Sequence, residues 1–229
     1  MSHSSDKGLQ LIADEEGCPL HPYWPPASIT SGVTLGLGDD LGGETEATFR
    51  ADWGAALAAA GVPPADVNRL AGACGVRGMG AGQLAAQLHD ITIPRQASAA
   101  VFRVRLLPQY EAELIACMPG ADTLPGDVFG ALTDLVYNRG NSLAGDRRLE
   151  MRVIASAVKA FAGTTFAPHR HSCLVVIADQ LTHMGDRLWP ASADGQTTPD
   201  WNHILRDRRY AEAALVRATA EVMNPNPGP

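Results

Sequence analysis

The chain has 229 residues, of which 45% are hydrophobic and 19% are charged, a composition that is typical of folded globular proteins and excludes extended disorder. No apolar run approaches the ~18 residues of a membrane-spanning helix, so we expect no membrane insertion. The formal net charge of −7 arises within residues 1–60, which hold nine acidic residues against two basic ones. An acidic surface repels nucleic acid, which is therefore excluded as a partner.

The chain carries no signal for secretion, metal binding or a cofactor. Its first residues, MSHSSDKG, lack the basic segment followed by an apolar one that marks a signal peptide. The cysteines, at positions 18, 74, 117 and 173, form no C-x-x-C pair and have no zinc-ligand spacing. We therefore predict buried free thiols, no metal and no cofactor.

The N-terminal region begins with a predicted helix and continues into a predicted β segment. Residues 5–16 are typical of a helix, with Ser4 or Ser5 as the N-cap and Gly17 as the C-terminal stop. Residues 18–43 contain several prolines and then β-branched residues interrupted by glycines. This pattern predicts short strands joined by tight turns.

Helical periodicity returns after Thr45. Phe49, Trp53 and Leu57 recur at i, i+4 and i+8, which predicts a helix that ends near Gly61. A longer helix at about 97–118 contains Pro108, which should kink or split it. Further helices are predicted at about 63–70, 83–89, 125–138, 147–162, 173–189 and 203–222, with a glycine-rich loop at 72–82 and a disordered tail at 223–229.

The confinement of the strands to one region predicts an α+β fold that is mostly α. No internal repeat or low-complexity linker interrupts the chain, so we expect one domain over residues 1–222. Within it, a small β-containing lobe at about 18–60 should pack on a larger helical lobe at about 61–222, with a cleft between them.

Three polar residues are predicted near the junction of the first helix and the β segment: Glu16, Thr34 and Asp40. Glu16 ends the helix, where the partial negative charge of the helix terminus disfavours an ionised carboxylate. The acidic neighbours Asp14 and Glu15 and any burial would raise the pKa of Glu16 further. A glutamic acid that stays protonated near neutral pH is suited to protonate a leaving sugar oxygen.

The second carboxylate of such a site would come from the segment VTLGLGDDLG at residues 33–42. A carboxylate across the scissile bond from the acid activates water or stabilises developing positive charge, and a separation of about 6.5–9.5 Å is typical of inverting enzymes. Asp40 is the candidate, with Thr34 beside it. Asp39 precedes it directly, so which of the two acids faces the cleft stays open at this point.

Residues 8–42 resemble the N-terminal catalytic segment of phage-type lysozymes (muramidases), in which a helix ending in Glu-Gly precedes an aromatic-rich turn and a Thr-(Ile/Leu)-Gly-x-Gly hairpin. The chain is most similar to the pesticin-like branch, where Asp-Leu-Gly follows six residues after the threonine, as at residues 40–42. The resemblance implies that Glu16, Thr34 and Asp40 are the catalytic residues. Leu37 stands where a tyrosine is common, and Asp39 where an aromatic residue is usual.

Two later blocks resemble the same branch and come in the same order: residues 132–152, around Tyr-Asn-Arg-Gly, and residues 187–190 followed by 206–215. Tyr23 and Trp24 are candidates for a sugar-binding surface, although packing beside prolines is an equal alternative. Tyr137, Asn138 and Arg139 are candidates for the cleft wall, or for the buried end of a helix. The arginines of the last block, Arg206, Arg208 and Arg209, either reach the acids of the cleft or flank a solvated helix face, and we predict the latter.

The resemblance implies hydrolysis of the β-1,4 bond between N-acetylmuramic acid and N-acetylglucosamine, by a monomer that acts on the glycan strands of peptidoglycan without a cofactor. The alternatives are a lytic transglycosylase and a non-catalytic wall-binding module, the latter supported by the acidic N-terminal quarter. We expect a protein that is made in the cytoplasm and delivered to the periplasm or cell wall by a holin or secretion machinery. Three settings are consistent with this expectation: a phage endolysin, a bacteriocin and a secreted effector. An immunity protein or a delivery partner would belong to those settings.

Overall fold

The computed structural model describes residues 2–16, 19–25, 30–190 and 200–224. It is mostly helical, with a small two-stranded antiparallel sheet, which confirms the prediction of an α+β fold that is mostly α. The elements, in chain order, are α1 Asp6–Glu16, β1 Thr34–Leu35, β2 Asp39–Asp40, α2 Glu46–Ala59, α3 Pro64–Ala71, α4 Met79–Gln87, α5 Arg95–Val101, a π-helical segment Phe102–Leu106, α6 Leu107–Cys117, α7 Gly126–Arg139, α8 Leu149–Ala162, α9 Ala167–Leu188 and α10 Asp200–Val222.

The chain forms two compact units. One, here called the hairpin unit, is Glu16–Pro108, and the other, the helical unit, is Met1–Glu15 together with Gln109–Pro229. Residues 61–108, which the sequence analysis assigned to the helical lobe, therefore group with the hairpin. The reason is a shared core, because apolar side chains from β1, α2, α3, α4 and α5 form one buried cluster, whereas β2 consists of two aspartates.

The hairpin is short and tightly turned. β1 and β2 pair antiparallel with Thr34 opposite Asp40 and Leu35 opposite Asp39. Gly36 and Gly38 in the turn have φ values of 48° and 87°, a left-handed region that side-chain-bearing residues rarely adopt. The Ser98 hydroxyl accepts a hydrogen bond from Leu37 N–H (3.0 Å), which fixes the turn against α5.

Helix α2 matches its prediction closely. Its N-terminus is closed by a reciprocal capping arrangement, in which the Thr45 hydroxyl accepts from Thr48 N–H and the Thr48 hydroxyl accepts from Thr45 N–H. Phe49, Trp53 and Leu57 are all buried in the core of the hairpin unit. The predicted apolar face is therefore confirmed.

The predicted helix around Pro108 is interrupted as expected, but by a π-helical segment that precedes the proline. Leu107 N–H donates to Phe102 O, five residues earlier, instead of four. A wider turn is a known accommodation for a disturbed helical ladder, and Pro108 cannot donate to a carbonyl four residues before it. The segment also carries Arg105, whose role is described below.

Two predicted boundaries differ from the structure. Helix α4 begins at Met79, inside the predicted loop at 72–82, and α9 begins at Ala167, before the predicted start at 173. Proline is well tolerated in a first helical turn, and Pro168 occupies that position in α9. The tail residues 225–229 lie outside the described part of the chain, as does Cys18.

The helical unit is built on α7, which is buried along most of its length and packs among α8, α9 and α10. Helix α1 approaches α7 through two glycines: a Cβ added to Gly8 would lie 2.7 Å from Gly130 Cα, and one added to Gly130 would lie 2.5 Å from Gly8 Cα. Only glycine at both positions permits this contact. None of the helices in the described ranges is long and apolar enough to cross a bilayer.

Candidate active site

The predicted acid, Glu16, is the last residue of α1, and the last turn of that helix carries no basic residue. The Glu16 side chain lies outside the part of the chain that the structure describes. Its predicted raised pKa and its orientation therefore stay predictions, and the neighbouring groups provide the structural context.

Glu15, the residue before it, is partly buried. Burial raises the pKa of Glu15, and the charges of Asp134 and Asp14 add to that rise, whereas Arg208 and Arg209 oppose it. The surroundings at the C-terminal end of α1 thus raise the pKa of the carboxyl group adjacent to Glu16.

A buried ion network lies in the helical unit beside Glu15. Asp134 on α7 accepts two hydrogen bonds from Arg208 on α10, from Nε at 2.9 Å and from Nη2 at 2.5 Å. Arg208 and Arg209 are 4% and 0% exposed, so the prediction that these arginines flank a solvated face is wrong. Their planar guanidinium groups are instead enclosed between α7 and α10, where carboxylates compensate their charge.

The innermost pair of this network is Arg209 and Glu212. Arg209 Nη2 lies 2.7 Å from Glu212 Oε1, yet among the described residues neither carboxylate oxygen of Glu212 has a partner with hydrogen-bond geometry. Burial raises the pKa of Glu212 well above its ordinary range, against the opposing charge of Arg209 and with support from Asp134. Because burial disfavours the ionised form of Glu212, Asp134 is the carboxylate that mainly balances the two arginines.

On the hairpin, Asp40 is held by backbone amides. Asp40 Oδ1 accepts from Gly32 N–H and from Gly42 N–H, both at 2.8 Å, and so caps the 3₁₀ turn Leu41–Gly43. A Cβ on Gly32 would lie 2.2 Å from Gly42 N, so glycine is required at this position. Within the described residues Oδ2 makes no hydrogen bond, which leaves one oxygen of a firmly positioned carboxylate available.

Thr34 lies directly opposite Asp40 in the hairpin register. Side chains at opposed positions of an antiparallel pair project from the same face, so Thr34 and Asp40 share a face, and Leu35 and Asp39 share the other. Thr34 is buried, and its hydroxyl donates a long hydrogen bond to Gly32 O (3.5 Å). Tyr23 pairs with Thr34 on its other side through two backbone hydrogen bonds of 2.7 and 3.1 Å.

Asp39 has a structural role. It accepts from Trp53 Nε1 at 2.6 Å and from Arg105 Nη1 at 3.0 and 3.1 Å, and its side chain is only 4% exposed. Burial raises the pKa of Asp39 despite the lowering effects of Trp53 and Arg105. Because Asp39 is enclosed by these partners, Asp40 is the better candidate for the catalytic carboxylate.

The arginine that holds Asp39 was missed by sequence reasoning. Arg105 also forms ion pairs with Glu44 and with Asp52, the latter at 3.1 Å. Since 66 residues separate Arg105 from Asp39, no local spacing could indicate the contact. The arrangement fixes the π-helical segment to β2 and α2.

The predicted sugar-binding residues fall into two groups. In the hairpin unit, Trp24 Nε1 donates to Ser31 O (3.2 Å), and the indole ring packs on Gly82. Of the two predicted roles of Trp24, these contacts favour packing over sugar binding. In the helical unit, Tyr137 stacks edge-on against Tyr110 at a centroid distance of 4.5 Å. Asn138 and Arg139 follow at the end of α7 and line a pocket described below.

Comparison with known proteins adds no assignment, because no protein-family model matches the chain and no curated protein matches it. Across the described ranges, no cluster of three or more histidine, cysteine, aspartate or glutamate side chains is placed to hold a metal ion.

Proposed function

We propose that the protein is a glycoside hydrolase of the phage-lysozyme type, closest to the pesticin-like branch, that cleaves the β-1,4 bond between N-acetylmuramic acid and N-acetylglucosamine in peptidoglycan. The observation that carries the proposal is the hairpin register, which opposes Thr34 and Asp40 on one face of the sheet. These are the two residues that the resemblance pairs in catalysis. The proposal includes a lysozyme-like groove lined by Glu16, Thr34 and Asp40.

Glu16 acts as the general acid in this proposal. Its position at the C-terminus of α1, with no basic residue in the last turn, disfavours the ionised form. Burial raises the pKa of the neighbouring Glu15 carboxyl, which supports the proposal that the end of α1 also raises the pKa of Glu16. The protonated carboxyl transfers its proton to the bridging oxygen as the glycosidic bond breaks.

Asp40 orients the attacking water and stabilises the oxocarbenium-like transition state through its available oxygen, Oδ2. Its other oxygen is committed to two backbone amides, so the carboxylate needs little reorganisation during the reaction. Thr34, on the same face, supports the position of the water. The second carboxylate favours a hydrolase over a lytic transglycosylase, which uses one acid and no water.

The experiment compares Glu16→Gln and Asp40→Asn with the wild type and with Glu221→Gln, which removes an exposed carboxylate on α10. We expect each of the first two variants to clear suspensions of purified peptidoglycan about 10²–10⁴-fold more slowly, and Glu221→Gln to match the wild type. Circular dichroism and thermal unfolding verify that each variant is folded. A folded Glu16→Gln protein that keeps more than about a tenth of the wild-type rate would refute the proposal.

The substrate sets the place of action in this proposal: peptidoglycan in the periplasm or cell wall, reached through a holin or secretion machinery. A wall-binding module without activity is the main rival, and Leu37 and Asp39, which stand where the family that the chain resembles commonly has aromatic residues, favour it. Binding to sacculi with no release of soluble fragments would support that rival.

A further inference from the structure

A basic pocket of about 430 Å³ opens where α7 ends and the following loop leads into α8. We call it the arginine pocket; it lies in the helical unit. Its lining residues are Asn138, Arg139, Ala144, Gly145, Asp146, Arg147 and Arg148. Three arginines and one aspartate give it a formal charge of +2, in a chain whose net charge is −7.

The arginines of the pocket contact neutral groups, and the Arg139 guanidinium also lies 5.2 Å from the centroid of the Trp189 ring. Arg139 Nη2 donates to Arg147 O at 2.8 Å, and Arg148 donates to Arg139 O and to Met151 Sδ. Within the described ranges, none of the three arginines forms an ion pair, and the buried Nε of Arg139 has no hydrogen-bond partner. The pocket therefore offers donors and positive charge to an incoming group.

Glu150, which follows the pocket residues in the chain, is engaged by Arg187. Glu150 is fully buried and accepts from Arg187 Nη2 at 2.6 Å, with His183 Nδ1 at 3.4 Å. Burial alone would raise the pKa of Glu150, but its bonds to Arg187 lower it overall. Arg187 also donates to the backbone oxygen of Asp146 at 3.2 Å, which places positive charge beside the single acid of the pocket.

Repulsion among the arginines favours an anion. Burial, followed by the charges of Arg148, Arg209 and Arg147, lowers the pKa of Arg139 to about 10. Arg139 therefore stays protonated at neutral pH, although its charge is disfavoured by its surroundings. A bound anion would relieve this repulsion and would gain charge-assisted hydrogen bonds from guanidinium groups.

We propose that the arginine pocket binds a carboxylate of the peptide that is attached to muramic acid in peptidoglycan, an inference that rests on the proposed function. The glycan backbone is neutral, whereas the attached peptide carries carboxylates, whose planar geometry matches the guanidinium fork. The pocket follows Tyr137 and contains Asn138 and Arg139, the residues predicted to contact the glycan. In a chain with a net charge of −7, this pocket provides local positive charge that attracts the carboxylates of peptidoglycan.

The test measures binding of N-acetylmuramyl-L-alanyl-D-glutamate, which has free carboxylates and no glycosidic bond to cleave, and of the same compound with its carboxyls amidated. The variants are Arg147→Gln and Arg147→Glu, because Arg147 is exposed and its side chain makes no hydrogen bond within the described residues. Arg103→Gln, which removes an exposed arginine in the hairpin unit, is the control. Isothermal titration calorimetry at low salt gives the dissociation constants.

We expect Arg147→Gln to weaken binding of the free acid about three-fold and Arg147→Glu about ten-fold, as for single charge contacts near a surface. Arg103→Gln should bind as the wild type does, and the amidated compound should bind weakly to every protein. Equal affinity of wild type and Arg147→Glu for the free acid, or equal affinity of the wild type for both compounds, would overturn the pocket proposal. Cleavage of peptide-free glycan strands by the wild type tests the muramidase activity separately, so failure of one proposal is distinguishable from failure of the other.

Discussion

Replacement of Arg105 by methionine should destabilise the protein strongly at neutral pH and only weakly in acid. Arg105 is the cation shared by Asp39, Glu44 and Asp52, whose side chains are 4%, 12% and 29% exposed. Removal of one partner from a buried ion pair costs about 3–5 kcal/mol, and the more exposed pairs contribute about 0–1 kcal/mol each. The Asp39 contact therefore dominates, and we expect a loss of about 3–5 kcal/mol near pH 7.5.

The pH dependence follows from Asp39. Burial already raises the pKa of Asp39, and Arg105 opposes that rise, so the variant should raise it further. A carboxyl whose pKa is raised in the folded state binds its proton more tightly there than in the unfolded chain. Folding stability is then lost as the pH rises from the ordinary aspartate value of about 3.9 through the folded-state pKa. The difference between wild type and variant should shrink as the pH falls toward about 4.

Urea denaturation at pH 7.5 and pH 4.5 measures both effects. Arg103→Met, on the same π-helical segment but exposed, is the matched control and should change the free energy of unfolding by less than about 0.5 kcal/mol. A loss below about 1 kcal/mol for Arg105→Met at pH 7.5 would show that the Arg105–Asp39 contact does not dominate. An equal loss at both pH values would show that the charge of Asp39 is not the cause.

Four further substitutions test two glycine positions and the buried ion network by thermal unfolding. Gly130→Ala should cost several kcal/mol of folding stability, because its Cβ would lie 2.5 Å from Gly8 Cα. Gly54→Ala, which has open space around the new Cβ, should instead stabilise α2 by about 0.5–1 kcal/mol. Similar melting temperatures for the two variants would contradict the close contact between α1 and α7. Asp134→Asn should cost about 3–5 kcal/mol, since it removes the carboxylate that compensates buried Arg208. Glu212→Gln should cost less than about 1.5 kcal/mol at pH 7, because burial raises the pKa of Glu212 and the amide resembles the neutral acid. A larger loss for Glu212→Gln than for Asp134→Asn would mean that Glu212 is ionised.

Local patterns predicted the local structure well. The i, i+4, i+8 spacing of Phe49, Trp53 and Leu57 defined α2 because that helix buries one regular face. The glycines at 36 and 38 indicated the hairpin turn because only positive φ values close it so tightly. In both cases the determining interactions lie within a few residues along the chain.

Contacts between distant residues were not predictable in the same way. Arginines are exposed in most proteins, so nothing local indicated that Arg208 and Arg209 are enclosed by α7. The pairing of Arg105 with Asp39 depends on a π-helical segment, which helical periodicity does not distinguish from an ordinary helix. Neighbouring residues on a strand project from opposite faces, but which of Asp39 and Asp40 shares a face with Thr34 depends on the hairpin register, which the sequence left open.

In the proposed reaction, the carboxyl of Glu16 protonates a glycosidic oxygen while water attacks the sugar. The most direct measurement is mass spectrometry of fragments released from purified peptidoglycan in heavy-oxygen water, with wild type and Glu16→Gln compared side by side. We expect the wild type to release fragments whose new reducing N-acetylmuramic acid ends carry one heavy oxygen atom, and Glu16→Gln to release almost none. Unlabelled 1,6-anhydro ends, no soluble fragments from the wild type, or equal release by both proteins would rule out this reaction.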